Sequence, residues 1–253
     1  MASTISTITA HCNQLLEIGR YRDHCPNGLQ VEGGNHVQRL VTGVTASLAL
    51  LEAAAEWKAD LVIVHHGYFW KSDNPTLTGA RFTRVRTLIE AQMGLAAYHL
   101  PLDVHPTLGN NAQLASHMGW ITEGTIRGAE PDGLLHQGRL PRPVTPDALA
   151  QSLRDRLQRM PIHIGTGRGT IERIAWCTGA GQGLIEAAAA EGVDAFITGE
   201  ASEQTTHSAR ELEVEFFACG HHATERYGVR ALGDHLAAEF DLKHRFIDIP
   251  NPI

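Results

Sequence analysis

Cysteine is scarce in this chain of 253 residues: Cys12, Cys25, Cys177 and Cys219 are the four present, and no two of them form a CxxC pair. That excludes a disulfide-stapled secreted scaffold and a paired-cysteine zinc site. Cys177 and Cys219 stand in apolar, strand-like runs and read as small buried hydrophobes, so cysteine is expected to supply no metal ligand. Long hydrophobic runs are also missing: nothing approaches the roughly 20 apolar residues of a membrane helix, and residues 1–10 lack the basic start and apolar stretch of a secretion signal. The chain therefore reads as cytoplasmic. Positive charge is in deficit, with 21 Lys and Arg against 28 Asp and Glu, a net charge of −7 and a pI near 6.1. This removes sequence-independent affinity for nucleic acid or anionic membrane while leaving room for a local basic pocket. No GxxxxGK[ST] phosphate loop occurs; Gly165-Thr-Gly-Arg-Gly169 lacks that spacing and reads as a turn.

What is present is an ordinary globular composition, 43% hydrophobic and 19% charged, enough to bury one large core or two intimate ones. Short β-rich runs alternate with amphipathic stretches, the pattern of an α/β fold. Strands are expected at Arg39–Val44, Leu61–Val64, Leu95–Tyr98, Arg173–Thr178, Ala195–Thr198, Glu215–Cys219 and Leu242–Ile247. Ser47 is placed to cap a helix running to Trp57, and Thr145-Pro146 to start one running to Leu157. Asn110-Asn111 opens a third that Gly119 closes.

An internal repeat is visible. Residues 39–66 lie without gaps over residues 173–200, an offset of 134 (173 − 39), and both copies read strand, small-residue turn, Glu-Ala-Ala-Ala helix, Asp, strand. Further on, His99-x3-Asp103 matches His221-x3-Glu225. Two related half-domains would explain why chemistry-bearing residues come from both ends of the chain.

Those residues fall in three clusters, each following an apolar run. His65-His66-Gly67 ends the run Leu-Val-Ile-Val, and adjacent strand residues converge only where the strand stops, with Gly67 read as giving the freedom to turn. Asp103 follows Pro101, which is expected to hold Leu100 extended and to project Asp103 as part of a loop. His99 and His105 flank it as candidates to orient its carboxylate by hydrogen bonds. His221 and Glu225, four apart, share one helix face; His222 points elsewhere, toward substrate or the surface. Imidazole and carboxylate together suit Zn, Fe, Mn or Co. His65, His66, Asp103, His221 and Glu225 make five ligands, too many for one open ion and too few to saturate two, which points to a dinuclear centre with open positions.

The segments Pro26–Gly33, His65-His-Gly67, His99-Leu-Pro-Leu-Asp103, Leu108-Gly-Asn-Asn111, Ile197-Thr-Gly-Glu200 and Gly220-His-His-Ala-Thr-Glu225 resemble the NIF3-like family, whose members are often labelled GTP cyclohydrolase 1 type 2 homologs, and its short bacterial branch in particular. The resemblance implies two intertwined α/β lobes related by a pseudo-twofold, with mixed sheets flanked by helices. The first lobe would span 1–127, completed by 213–253, and the second 128–212. It also implies two divalent ions (Fe, Zn or Mn) on the five ligands, Glu225 being the favoured bridge, and a toroidal homohexamer. Pro26–Gly33 reads as a turn at the site rim. The function expected is a metal-dependent hydrolase of a nucleotide or related heterocycle, with GTP ring opening as its most specific form. His99, His105 or Glu200 would move protons, and Lys71, Arg81, Arg84 or Arg226 would meet phosphate. A ring-shaped scaffold in nucleic-acid maintenance and a di-iron oxidase are the alternatives.

Overall fold

The computed structural model describes residues 3–253. It is a mixed α/β fold with mixed sheets flanked by helices. The chain divides into two compact units: the residues up to Leu102 together with Gly228–Pro250, and Asp103–Tyr227 together with Asn251–Ile253. No helix among the described residues is long and apolar enough to cross a membrane.

In the first unit five strands lie in the order Lys243–Phe246, Arg39–Thr45, Leu61–His66, Gly94–Ala97 and Gly28–Val31, all parallel to their neighbours except the last. Strands covered on both faces need an unbroken apolar run rather than an alternating one. Leu61, Val62, Ile63 and Val64 supply it and are all fully buried. The helix Leu48–Glu56 begins as expected, the Ser47 hydroxyl accepting from Leu50 N at 3.3 Å.

The second unit has six strands in the order Ile121–Thr125, His136–Val144, Ile171–Cys177, Ala195–Thr198, Glu215–Ala218 and Ile162–Ile164. The middle three beginning at Ile171 are parallel, and the outer pairings are antiparallel. Thr145 caps the helix Pro146–Leu157, and Gly119, in the left-handed region at φ 73°, closes Asn110–Met118. Trp176, Phe196, Phe216 and Phe217 fill this unit's core and are fully buried.

The repeat is carried by matching side chains. Asp60 Oδ2 accepts from Gln38 N and Arg39 N, both at 2.8 Å; Asp194 Oδ2 accepts from Glu172 N at 2.9 Å and Arg173 N at 2.8 Å. Arg39 donates to Trp57 O and Arg173 to Glu191 O, again 134 residues apart (191 − 57). In each unit the carboxylate before the second strand thus clamps the start of the first, which fixes the parallel register Leu40–Leu61 and Ile174–Ala195.

The structure departs from the sequence reading in three places. The units divide after Leu102 and Tyr227, not at 127 and 212. Ile121–Thr125 pairs with His136–Val144, and Glu215–Ala218 with Ala195–Thr198, which draws both segments into the second unit. Leu100–Val104 is a helical turn rather than an extended loop: the Asp23 carboxylate accepts Leu100 N at 2.9 Å at its start, and Pro101 occupies the first turn, where its missing N–H leaves no bond unmade. Within Pro26–Gly33, Gly28–Val31 is an edge strand antiparallel to Gly94–Ala97 rather than a turn.

Candidate metal-ligand clusters

In the first unit His65 and His66 end the central strand. His65 is fully buried and its Nδ1 donates to Tyr98 O at 2.9 Å, which fixes the tautomer and makes Nε2 the candidate ligand atom. His66 Nδ1 lies 3.2 Å from Thr45 Oγ1. The two ring centroids are 4.6 Å apart, so the strand end does bring neighbouring side chains together. Gly67 serves by its size rather than its backbone freedom, since a Cβ there would lie 2.3 Å from Gln30 Oε1 and 2.5 Å from Ala97 Cβ. His99 joins this group, its centroid 5.0 Å from that of His65, and one ligand atom from each of His65, His66 and His99 lies within 4.8 Å of the others.

The carboxylate that His99 holds is Asp23, not Asp103. Its Nδ1 donates to Asp23 Oδ1 at 2.7 Å, and Trp70 packs edge-on at 5.0 Å. Asp23 is buried and also accepts from His24 N, Asn27 Nδ2 and Leu100 N. Burial alone would raise its pKa, but the hydrogen bonds and charge of His99, with Asn27 and His24 N, hold it well below the usual carboxylate range. Sequence reasoning missed Asp23, a lone polar residue in an irregular segment with no motif around it. Cys25 stands beside this pair, and burial, then the Asp23 charge, pushes its thiol up to about 12. All four cysteines are buried and free, as expected of Cys177 and Cys219.

In the second unit Asp103 is buried and its Oδ1 accepts from Asn110 Nδ2 at 2.8 Å. Asn110 and Asn111 are fully buried; Asn111 donates to Asp103 O and Leu134 O and accepts from Thr178 N, fastening the Asp103 turn to the sheet. His105 Nδ1 accepts from Leu108 N at 3.0 Å and caps the turn that follows. His221 and Glu225 share a face of the helix His221–Phe240, with Nε2 3.1 Å from Glu225 Oε2. His221 Nδ1 donates to Glu200 Oε1 at 2.6 Å. Burial disfavours the imidazolium, but Glu225 and then Glu200 outweigh it and raise the His221 pKa to about 9. His222 is buried, its backbone N–H donating to Ile253 O, so it makes no surface contact.

Gly179 floors this second group. It sits at φ 68°, and a Cβ there would fall 2.2 Å from Glu225 Oε1 and 3.1 Å from His221 Nε2. Thr224 Oγ1 accepts Gly179 N, while Thr198 Oγ1 and Gly199 N donate to Gly179 O.

Among the cations named for phosphate, Arg226 donates to Leu157 O at 2.9 Å, and Arg81 pairs with Asp73 and the Asn74 carbonyl. Gly165–Gly169 is a loop that wraps Glu215, whose carboxylate accepts from Thr166 N and Arg168 N.

Imidazoles held at Nδ1, as His65 and His221 are, beside carboxylates such as Asp103, held by Asn110, are the donor chemistry that binds divalent transition metals. A model of the family Duf34/NIF3 (NGG1p interacting factor 3) matches residues 3–252. A Pseudomonas aeruginosa protein named GTP cyclohydrolase 1 type 2 homolog is 52% identical over 252 residues, covering all of both chains. An Escherichia coli K12 protein of the same name is 53% identical over 241 residues, 95% of this chain and 96% of its own. Among solved structures, protein ybgI, titled as of unknown function, has a TM-score of 0.95 at 50% identity over the whole of both chains. A Thermus thermophilus protein has a TM-score of 0.89 at 32% identity, covering 99% of this chain and 100% of its own. The chain is a member of the Duf34/NIF3 family.

Proposed function

We propose that His65 and His66 act together with Asp103, His221 and Glu225 as one dinuclear metal centre, and that the protein is a metal-dependent hydrolase of a nucleotide or related heterocycle. One observation carries the reading. In both units a candidate imidazole is held through Nδ1, His65 by Tyr98 O and His221 by Glu200, which makes Nε2 the candidate ligand atom, and His221 Nε2 lies 3.1 Å from Glu225 Oε2, another of the five proposed ligands. When bound, two divalent ions (Fe, Zn or Mn) would supply Lewis acidity and a nucleophile at neutral pH. His99 is the residue suited to proton transfer: Asp23 holds its Nδ1–H, which leaves Nε2 to exchange the proton. Glu200 and His105 are placed to orient, Glu200 through His221 and His105 through the turn after Asp103.

The name shared by the relatives makes GTP the first substrate to try, with ring opening at C8 of the guanine. The test is turnover of GTP by the protein reconstituted with each of the three metals. Loss of product on His99→Gln with metal retained supports the assignment, and no turnover with any metal excludes GTP. The family's description as an interacting factor favours a second reading, a metal-stabilised scaffold that binds other proteins. Assembly as a toroidal homohexamer in the cytoplasm belongs to the same proposal, and sedimentation of the untagged protein tests the assembly.

A further inference from the structure

One pair of imidazoles lies outside these groups and has no part in the chemistry proposed for them. His11, on the helix Ile5–Leu15, and His235, on the helix His221–Phe240, bring their Nε2 atoms to 3.1 Å. The rings are near-parallel, 21° apart with centroids at 5.4 Å, and the Phe240 ring packs edge-on against His11 at 5.2 Å. Each histidine is half-buried between core residues of its own helix, His11 with Ile8 and Cys12, His235 with Leu232 and Leu236. Among the described residues no carboxylate forms an ion pair with either ring.

Two nitrogens on one tetrahedral ion at about 2.0–2.1 Å stand roughly 3.3–3.4 Å apart. The observed separation is within a few tenths of an ångström of that spacing; the two nitrogens face each other, and a rotation of each ring would turn its Nε2 from the other nitrogen to a shared ion. Without an ion the pair makes a single N–H···N bond and one ring must donate. With an ion both Nε2 lone pairs are used, and both protons sit on Nδ1.

We propose that His11 and His235 form a second metal site, taking one divalent transition ion of the zinc class through their two Nε2 atoms. Water completes the coordination, and the ion fastens the Ile5–Leu15 helix to the second half of the His221–Phe240 helix. Imidazole donors suit Zn, Cu and Ni and disfavour Mg and Ca.

The test uses the full chain carrying His65→Ala and Glu225→Ala, stripped with chelator and titrated with zinc alone, so that the result does not depend on the dinuclear centre. One zinc equivalent is expected, with affinity falling at least tenfold in His11→Asn and in His235→Asn and unchanged in His207→Ala, which removes an exposed histidine. A zinc-dependent rise in Tm should vanish with either substitution. Absence of that equivalent, or uptake unaffected by both asparagine variants, overturns the proposal and leaves the pair as a hydrogen bond. Two variants on separate helices guard against one that fails to fold.

Discussion

A Cβ at Gly179 would lie 2.2 Å from Glu225 Oε1, inside any real contact, and Gly179 is already at a φ that side chains resist. Gly179→Ala should therefore displace the Glu225 carboxylate and cut metal content per chain by at least half. Elemental analysis beside a far-ultraviolet circular dichroism spectrum reads both the loss and the preserved fold. Asp23 makes a different argument. Its carboxylate meets four donors, two of them the backbone N–H groups of His24 and Leu100. Asp23→Asn leaves part of that set unmet and should cost about 1–3 kcal/mol in urea unfolding. Because the folded pKa of Asp23 lies below its unfolded value, this contribution is fully present above pH roughly 4 and is lost as pH falls further toward the folded pKa. The gap between wild type and Asp23→Asn should accordingly narrow on acidification below pH 4, and a gap constant from pH 7 to 3 would contradict the account.

At the scale of elements, the Asp60 and Asp194 clamps are the repeat's shared device. Each ties two backbone N–H groups at the head of a strand, so Asp60→Ala and Asp194→Ala should each destabilise by about 1–2 kcal/mol without altering metal content. Denaturant midpoints and metal analysis on the same samples check this. The central strands were legible because burial on both faces demands runs such as Leu61–Val64 and Ala195–Thr198, which stand out from their surroundings. His136–Val144 was not. It carries Pro141 and Pro143, which read against a strand, yet they fall between the paired residues Arg139 and Val144, where the register shifts and no ladder bond is required of them. The Leu100–Val104 turn was hidden for a related reason, since its N-terminal cap comes from Asp23, far away in sequence. The metal-type side chains were legible because each follows an apolar run. Their tethers were not, because Tyr98 O, Asn110 and Asp23 become partners only once the strands and turns are in place.

For the whole molecule, the candidate ligands come from two units, and the account rests on their serving one centre. His65 and Glu225 stand one in each. Removing either alone would leave the other unit's residues able to hold an ion, so the decisive variant takes one from each side. The direct measurement is metal per chain, by elemental analysis of untagged protein, for wild type and for the double variant His65→Ala, Glu225→Ala. The account predicts about two ions per chain in the first and near none at the centre in the second, with circular dichroism unchanged, any zinc held at His11 and His235 being removed beforehand by substitution of His11 in both proteins. Metal content that survives the double substitution undiminished would contradict it.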